Sequence, residues 1–244
     1  DAGTNISNTV AVGYNALTST TNNHNTAVGS KALEDTTTGS SNVAVGSLCL
    51  TDNIGGVNNV AVGFASLRYN QTGQNNTALG AGTLTGNGGS NSVAVGAQAL
   101  NANTASQNTA VGSHALYVNT STANNTAVGY HALLSNTTGR NTAFGSQALK
   151  DVISTDHSTA IGDHCLWKTT SGSRNTGLGF QALVFNTTGS SNTGLGCDAL
   201  DSNTTGSNNT AVGSDALQAN TTGGENVAVG ALCLDANTTG SNNT

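Results

Sequence analysis

Residues 125–133 read Asn-Thr-Ala-Val-Gly-Tyr-His-Ala-Leu, and a closely similar stretch recurs fourteen times along the 244 residues. Successive copies are separated by 16 or 17 residues and by no other interval. Each copy contains one glycine at the same place, which we call the repeat glycine, and a leucine four residues after it. A fixed short period is typical of a solenoid, in which every repeat forms one coil. The sequence therefore predicts a single repeat domain over residues 1–244.

Two sets of equivalent residues define the repeat. The repeat glycines are Gly13, Gly29, Gly46, Gly63, Gly80, Gly96, Gly112, Gly129, Gly145, Gly162, Gly179, Gly196, Gly213 and Gly230. The leucines are Leu17, Leu33, Leu50, Leu67, Leu84, Leu100, Leu116, Leu133, Leu149, Leu166, Leu183, Leu200, Leu217 and Leu234. We assign both sets a structural role.

The three residues before each repeat glycine predict a short β-strand. The first is Thr or Val, the second is Ala except at Gly177 and Gly194, and the third is large and apolar. Such residues favour strands, and no stretch shows the 3.6-residue period of a helix. Many copies continue with Asn-Thr-Thr-Gly, as at residues 186–189, which fits a type I turn. We expect an all-β fold, a parallel β-solenoid of about fourteen coils with two short strands and two turns in each.

Both faces of this strand are restricted in sequence. Side chains alternate along a strand, so the β-branched and aliphatic residues share one face and the small residues share the other. We expect one face to fill the coil, with a Val and a Leu of each coil buried, and the other face to contact a second chain. The alternative is that the glycine is needed for an unusual backbone angle and the alanine is merely tolerated. The sequence does not decide which face contacts the second chain.

Residues 91–96 (Asn-Ser-Val-Ala-Val-Gly) and 226–230 (Asn-Val-Ala-Val-Gly) resemble the head repeats of trimeric autotransporter adhesins of the YadA type, and similar repeats of phage and viral fibres. The resemblance covers residues 8–244. It implies a left-handed β-roll in which three chains associate about a common axis. It also implies that the assembly attaches a cell or virion to a host surface.

Composition argues against several other classes of function. Only 7% of the residues are charged, the net charge is −6, and six Lys and Arg offer little to a phosphate backbone. No apolar run approaches the roughly 20 residues of a membrane-spanning helix, so we expect no membrane insertion by these residues. The carboxylates are scattered singly and no Ser/His/Asp arrangement is evident. We therefore expect no enzyme activity and no cofactor.

Two groups of residues are candidates for binding. His114 and His131 stand two residues after their repeat glycines in consecutive coils, where they could share a transition metal or simply be exposed. Asp156, His157, Trp167 and Lys168 lie in residues 150–174, where the regular turn is replaced. Trp167 is the only Trp of the chain, and loops that vary in a repeat protein commonly carry binding sites.

Cysteines and glycosylation motifs give weaker indications. The four cysteines never lie in adjacent coils, so we expect buried free thiols in place of alanine rather than disulfides. Asn-X-Ser/Thr motifs fall at predicted turn tips, where they could accept glycans or could simply reflect a composition rich in Asn and Thr. The motifs include those that begin at Asn70, Asn119, Asn136, Asn186, Asn203, Asn220 and Asn237.

The function we expect is that of a structural and adhesive fibre segment, homotrimeric and extracellular or on a virion surface, with an unidentified receptor. An ice-binding β-solenoid is the alternative. It requires an unbroken row of Thr, whereas Val10, Val43, Val60, Val93 and Val227 interrupt the Thr column that begins the strands. Since the chain opens with Asp1-Ala2 and stops where another repeat begins, we also expect an interior stretch of a longer filament, or ends that associate head to tail.

Overall fold

A computed structural model describes residues 8–86 and 89–244 of the chain. The fold is all-β, a parallel β-solenoid, and the described residues contain no helix. The chain divides into two compact units, Asp1–Asn124 and Asn125–Thr244. The first unit contains β1 (Val10–Val12), β2 (Thr26–Val28), β3 (Val43–Val45), β4 (Val60–Val62), β5 (Thr77–Leu79), β6 (Val93–Val95) and β7 (Thr109–Val111). The second contains β8 (Thr126–Val128), β9 (Thr142–Phe144), β10 (Thr159–Ile161), β11 (Thr176–Leu178), β12 (Thr193–Leu195), β13 (Thr210–Val212) and β14 (Val227–Val229).

Within each unit the strands pair in chain order, and equivalent residues lie side by side. Between β10 and β11, for example, Thr159 pairs with Thr176 and Ile161 with Leu178. Residues at the same position of the repeat therefore form a column that runs through successive coils, with one residue from each coil. The prediction of two strands per coil is wrong, because over residues 8–86 and 89–244 each coil contains a single three-residue strand and closes through turns.

The apolar part of the coil interior is formed by small residues and one leucine. In the tenth coil Ala160 of the strand and Leu166 are both fully buried. Leu166 has a φ of 53°, and every repeat leucine has a similar left-handed conformation. That conformation costs roughly 1–2 kcal/mol in an L-residue, and it persists here although no glycine or asparagine occupies the column. We infer that burial of the leucine side chain offsets this cost.

The two faces of each strand are oriented opposite to the expectation that a valine is buried inside the coil. The Ala and Gly face lies inside the coil, where Ala127 is fully buried, whereas the first and third strand residues lie outside. We call these first and third residues of β1–β14 the outer strand face. The expectation that a Val of each coil is buried within its own chain is wrong. A contact of the small-residue face with a second chain is excluded, because that face is already covered.

The repeat glycine is required by the stacking of coils. Gly213 has a φ of 132°, and a Cβ added to it would lie 2.5 Å from the carbonyl oxygen of Gly230 in the next coil. Real Cβ atoms do not approach a carbonyl so closely. For the glycine column, the alternative explanation based on backbone angle is therefore confirmed, and close stacking adds a second reason.

Two columns of asparagine connect the coils through their side chains. In the column before the strands, Asn209 Nδ2 donates to the carbonyl of Gly223 at 2.9 Å. In the column that begins the Asn-Thr-Thr-Gly turns, Asn220 Nδ2 donates to the same carbonyl at 3.0 Å and to Asn203 Oδ1 at 2.9 Å. These side chains are fully buried. They supply partners for the carbonyls and amides of the turns, which a three-residue strand cannot reach.

Candidate functional site

The outer strand face is an apolar surface in each of the two units. In the first unit Val45, Val62 and Leu79 of successive strands are exposed, and in the second Phe144, Ile161 and Leu178 are exposed. Every residue of this face is Thr, Val, Leu, Ile or Phe, so it carries no charge. Contiguous exposed apolar surface of this kind marks interaction sites more often than scattered apolar residues do.

A second surface lies in the second unit, where the repeat is irregular. Trp167 is half-buried, and the Nζ atoms of Lys168 and Lys150 lie 4.1 and 5.5 Å from the centroid of one of its rings. His164 packs edge-on against Trp167 with ring centroids 4.8 Å apart. The Nε1 atom of Trp167 is buried and has no hydrogen-bond acceptor. The aromatic ring therefore holds two ammonium groups through cation–π contacts.

A groove runs along the solenoid beside this cluster. It has a volume of about 490 Å³, in the range of small-molecule sites. One wall is formed by the column six residues after the repeat glycine, which contributes Asp151, Lys168, Phe185 and Ser202 in successive coils. The other wall is formed by Thr170, Thr187 and Thr204, which lie two residues further along their coils.

The chemistry of the two walls differs. The hydroxyls of Thr170, Thr187 and Thr204 each donate to a backbone carbonyl of the next coil at 3.0–3.1 Å. On the opposite wall, Lys168 Nζ forms an ion pair with Asp151 Oδ2 at 3.0 Å, and Phe185 exposes 48% of its surface. The groove is therefore apolar along most of its length and has a charged pair near one end.

The structure separates the four candidate residues of residues 150–174. Lys168 lines the groove, and Trp167 packs against the ammonium group of Lys168. Asp156 and His157 instead form their own pair before β10, with His157 Nδ1 2.8 Å from Asp156 Oδ2. The backbone N–H of Arg140 donates to Asp156 Oδ1 at 2.8 Å, and together with His157 it lowers the pKa of that carboxyl group. Asp156 and His157 do not line the groove.

The proposed histidine pair remains a prediction. His114 belongs to the first unit, where its Nδ1 lies 2.8 Å from Ser113 Oγ and its ring contacts Tyr117. His131 belongs to the second unit and stacks on Tyr130 with ring centroids 3.7 Å apart. Among residues 8–86 and 89–244, no group of three or more His, Cys, Asp or Glu side chains could hold a metal ion.

The glycosylation motifs lie on a different side of the coil from the one expected. Six of the seven asparagines point inward and are buried, and Asn237 in the last coil is half-buried, so the expected position at turn tips is wrong for the side chains that would carry a glycan. Asn186 shows the reason, since its Nδ2 donates to the carbonyl of Gly189 at 2.9 Å. The sequence predicts the turn correctly, but the motif does not show that its first side chain faces the core.

The cysteines follow the prediction at two of four positions. Cys49 and Cys165 are free and fully buried in place of alanine, and burial raises the pKa of each thiol from 9.0 to about 12. Cys197 is free but exposed, so the prediction of a buried thiol is wrong there. Cys233, in the last coil, is free and half-buried.

Of the seven residues that line the groove, sequence reasoning selected only Lys168, and the most distinctive of the others are Phe185 and Asp151. The signal that points to them is the column six residues after the repeat glycine, which holds small residues at Ser135, Ser202 and Ala219. Within the second unit, a large aromatic and two opposite charges therefore differ from the small residues of this column, whereas in the first unit the column also holds Asp35, Asp52 and Tyr69. Only stacking shows that these departures fall in consecutive coils and line one groove.

Comparison with known proteins adds no relative. No protein-family model matches the chain, and no curated protein matches it. In the part of the chain that the structure describes, no helix is long and apolar enough to cross a membrane.

Proposed function

We propose that this chain is a structural and adhesive fibre segment that assembles as a homotrimer through its outer strand face. The observation that carries the proposal is the exposure of aliphatic side chains along this face in both units, with no charged residue in it. The partner is a second copy of the chain, because repeated strands of nearly identical sequence present the same surface in every coil. Three copies, an extracellular or virion location and a role in attachment are what the resemblance to adhesin heads adds.

Burial on the single chain supports the same proposal. The apolar interior of a coil consists mainly of alanine and one leucine, beside the buried asparagines, while the larger residue of the strand, such as Ile161 or Leu178, stays outside. Burying such a side chain contributes roughly 1.5–3 kcal/mol. Association through the outer strand face would therefore add a substantial apolar contribution for every coil.

The mass of the assembly in solution tests this proposal. We expect light scattering to give about three times the chain mass of 24.0 kDa. Replacing both Ile161 and Leu178 by Lys should disrupt the association, because each places charges in the apolar contact. The control is Gln181→Lys, in a column where Lys31 already occurs. A folded wild-type monomer, or a double variant that retains the wild-type mass, would contradict the proposal.

Ice binding is the second candidate, and one observation favours it. The Val residues that interrupt the Thr column lie in the first unit and in β14, whereas β8–β13 of the second unit all begin with Thr. This row of six is part of the outer strand face and is partly exposed. Ice binding needs that face free, so the two functions exclude each other. Thermal hysteresis from a monomeric protein, abolished by Thr176→Lys, would favour ice binding over the trimeric fibre.

A further inference from the structure

We propose that the groove of the second unit binds a neutral hexose ring, with the apolar face of the sugar on Phe185 and its hydroxyl edge on the Asp151–Lys168 pair. The inference rests on the proposed function, because it supplies the chemistry by which an adhesive fibre would recognise a glycan-bearing surface. It assigns a ligand class to a groove that lies outside the outer strand face.

The apolar part of the groove suits the carbon face of a sugar. Phe185 stands in a column otherwise occupied by small or charged residues in this unit, and it exposes 48% of its surface in the groove. The electron-rich face of an aromatic ring attracts the slightly positive C–H groups of a pyranose. Across the groove the hydroxyls of Thr170 and Thr187 donate to backbone carbonyls. These hydroxyl protons are therefore not available to a ligand, and this wall contacts the sugar mainly through apolar atoms.

The polar end of the groove suits hydroxyl groups. The carboxylate of Asp151 accepts hydrogen bonds and the ammonium of Lys168 donates them, and vicinal hydroxyls of a hexose can do both at once. Both side chains are only partly buried, with 35% and 40% of their surface exposed, so their remaining valences are accessible. Trp167 also restrains the ammonium of Lys168 through the 4.1 Å contact.

Charge argues for a neutral sugar rather than an acidic one. The Asp151–Lys168 pair is neutral as a unit, since its charges lie 3.0 Å apart. The chain carries a net charge of −6, so its overall field repels an anion. A uronic or sialic acid would have to displace Asp151 from Lys168 to gain an ion pair.

Binding can be measured by saturation-transfer difference NMR with methyl glycosides of glucose, mannose and galactose, and with glucuronic acid and N-acetylneuraminic acid as the acidic arms. We expect transfer to ring protons of at least one neutral glycoside. Phe185→Ser should weaken this binding at least tenfold. Ser already occurs in this column at Ser202, so the variant should fold, as circular dichroism will check.

The matched control is Phe180→Ser. Phe180 exposes 49% of its surface, almost the same as Phe185, but lies outside the groove, and its column also accepts Ser, as at Ser214. This variant should bind as the wild type does, and Lys168→Ala should bind more weakly than the wild type. Lys168→Ala also has a precedent in its column, at Ala219.

Three results would overturn the inference: no transfer to any neutral glycoside, binding unchanged in Phe185→Ser, or stronger binding of the acidic sugars than of the neutral ones. Light scattering of the same samples measures the oligomeric state, so that a failure of sugar binding can be distinguished from a failure of trimer assembly. A trimer that binds no sugar overturns the groove assignment alone, whereas a sugar-binding monomer overturns the trimer alone.

Discussion

The side-chain oxygen of Asn192 accepts a hydrogen bond at 3.0 Å from the backbone N–H of Asn209, one coil further along the chain. Asn209 repeats the arrangement toward Asn226, again at 3.0 Å. Each asparagine thus joins the coil before it to the coil after it. A buried amide with both its donor and acceptor engaged is costly to replace, because every partner it leaves is also buried.

Replacing Asn209 by Ala should destabilise the protein by more than a single hydrogen bond would suggest. The change deprives the N–H of Asn226 of its acceptor and the carbonyl of Gly223 of one donor. Each buried group left unpaired costs about 1–3 kcal/mol. Urea unfolding measures the loss. Thr205→Ala, an exposed position in the same coil, is the control and should change stability by less than about 0.5 kcal/mol. Equal effects of the two changes would contradict this role for the asparagine column.

The second asparagine column has a break that can be repaired. Between Asn136 and Asn186 the column holds Val152 and Thr169, and the buried hydroxyl of Thr169 has no hydrogen-bond partner. Thr169→Asn restores the asparagine of the turn that ends at Gly172, and the two side chains are close in volume. We expect a gain of about 1–2 kcal/mol from the added hydrogen bonds.

Thermal unfolding tests this repair. The control is Thr188→Asn, an exposed change of the same chemistry that should leave the unfolding midpoint unchanged. The reverse substitution, Asn186→Thr, should lower the midpoint, because it extends the break by one coil. A lower midpoint for Thr169→Asn would show that the column tolerates threonine without cost.

Gly213 and Gly230 separate the two reasons for a repeat glycine. Their φ angles are nearly the same, 132° and 131°, but an added Cβ at Gly213 would lie 2.5 Å from the carbonyl oxygen of Gly230, whereas at Gly230 its closest neighbour is 4.0 Å away. In this 244-residue chain, Gly213→Ala should therefore cost several times as much free energy of unfolding as Gly230→Ala. Equal costs, measured by urea unfolding, would mean that backbone angle alone selects glycine.

The strands and the leucine column were predictable because both recur at the interval of 16 or 17 residues that is visible in the sequence. The direction of the strand faces was not predictable, since Val128 is larger and more apolar than Ala127 and burial of the larger residue is the usual expectation. In the structure Ala127 and Leu133 are fully buried and Val128 is half-buried, and the left-handed conformation of Leu133 is a backbone feature that the residue pattern does not indicate.

The groove could be predicted only in part. Trp167 and Lys168 were predicted as binding residues because they depart from the repeat, and Lys168 does line the groove. Phe185 lies one coil away from Lys168 and is followed by a regular turn. An irregular turn, which pointed to Trp167 and Lys168, therefore does not point to Phe185. Side chains 17 residues apart become neighbours only through stacking, and an aligned column is the signal that brings Asp151, Lys168 and Phe185 together.

The two buried thiols should make the stability of the protein fall at alkaline pH. Burial raises the pKa of Cys49 and Cys165 to about 12, whereas the ordinary value is 9.0. Because the folded pKa is above the unfolded one, the stability that this shift represents is complete below pH 9. It is lost as the pH rises toward 12, since the unfolded chain then ionises first. Each thiol should reduce the free energy of unfolding by about 1.4 kcal/mol per pH unit in this window.

Cys49→Ala and Cys165→Ala, combined in one variant, supply the control, because alanine is the usual residue of their column. All other titratable groups are the same in both proteins, so the difference between variant and wild type reports the thiols. Urea unfolding between pH 8 and 10.5 should show the wild type losing stability faster than the variant. Below pH 8 the two curves should run parallel. Parallel curves across the whole range would show that the thiols are not sheltered from water, as would reaction of Cys49 and Cys165 with a thiol reagent in the folded protein.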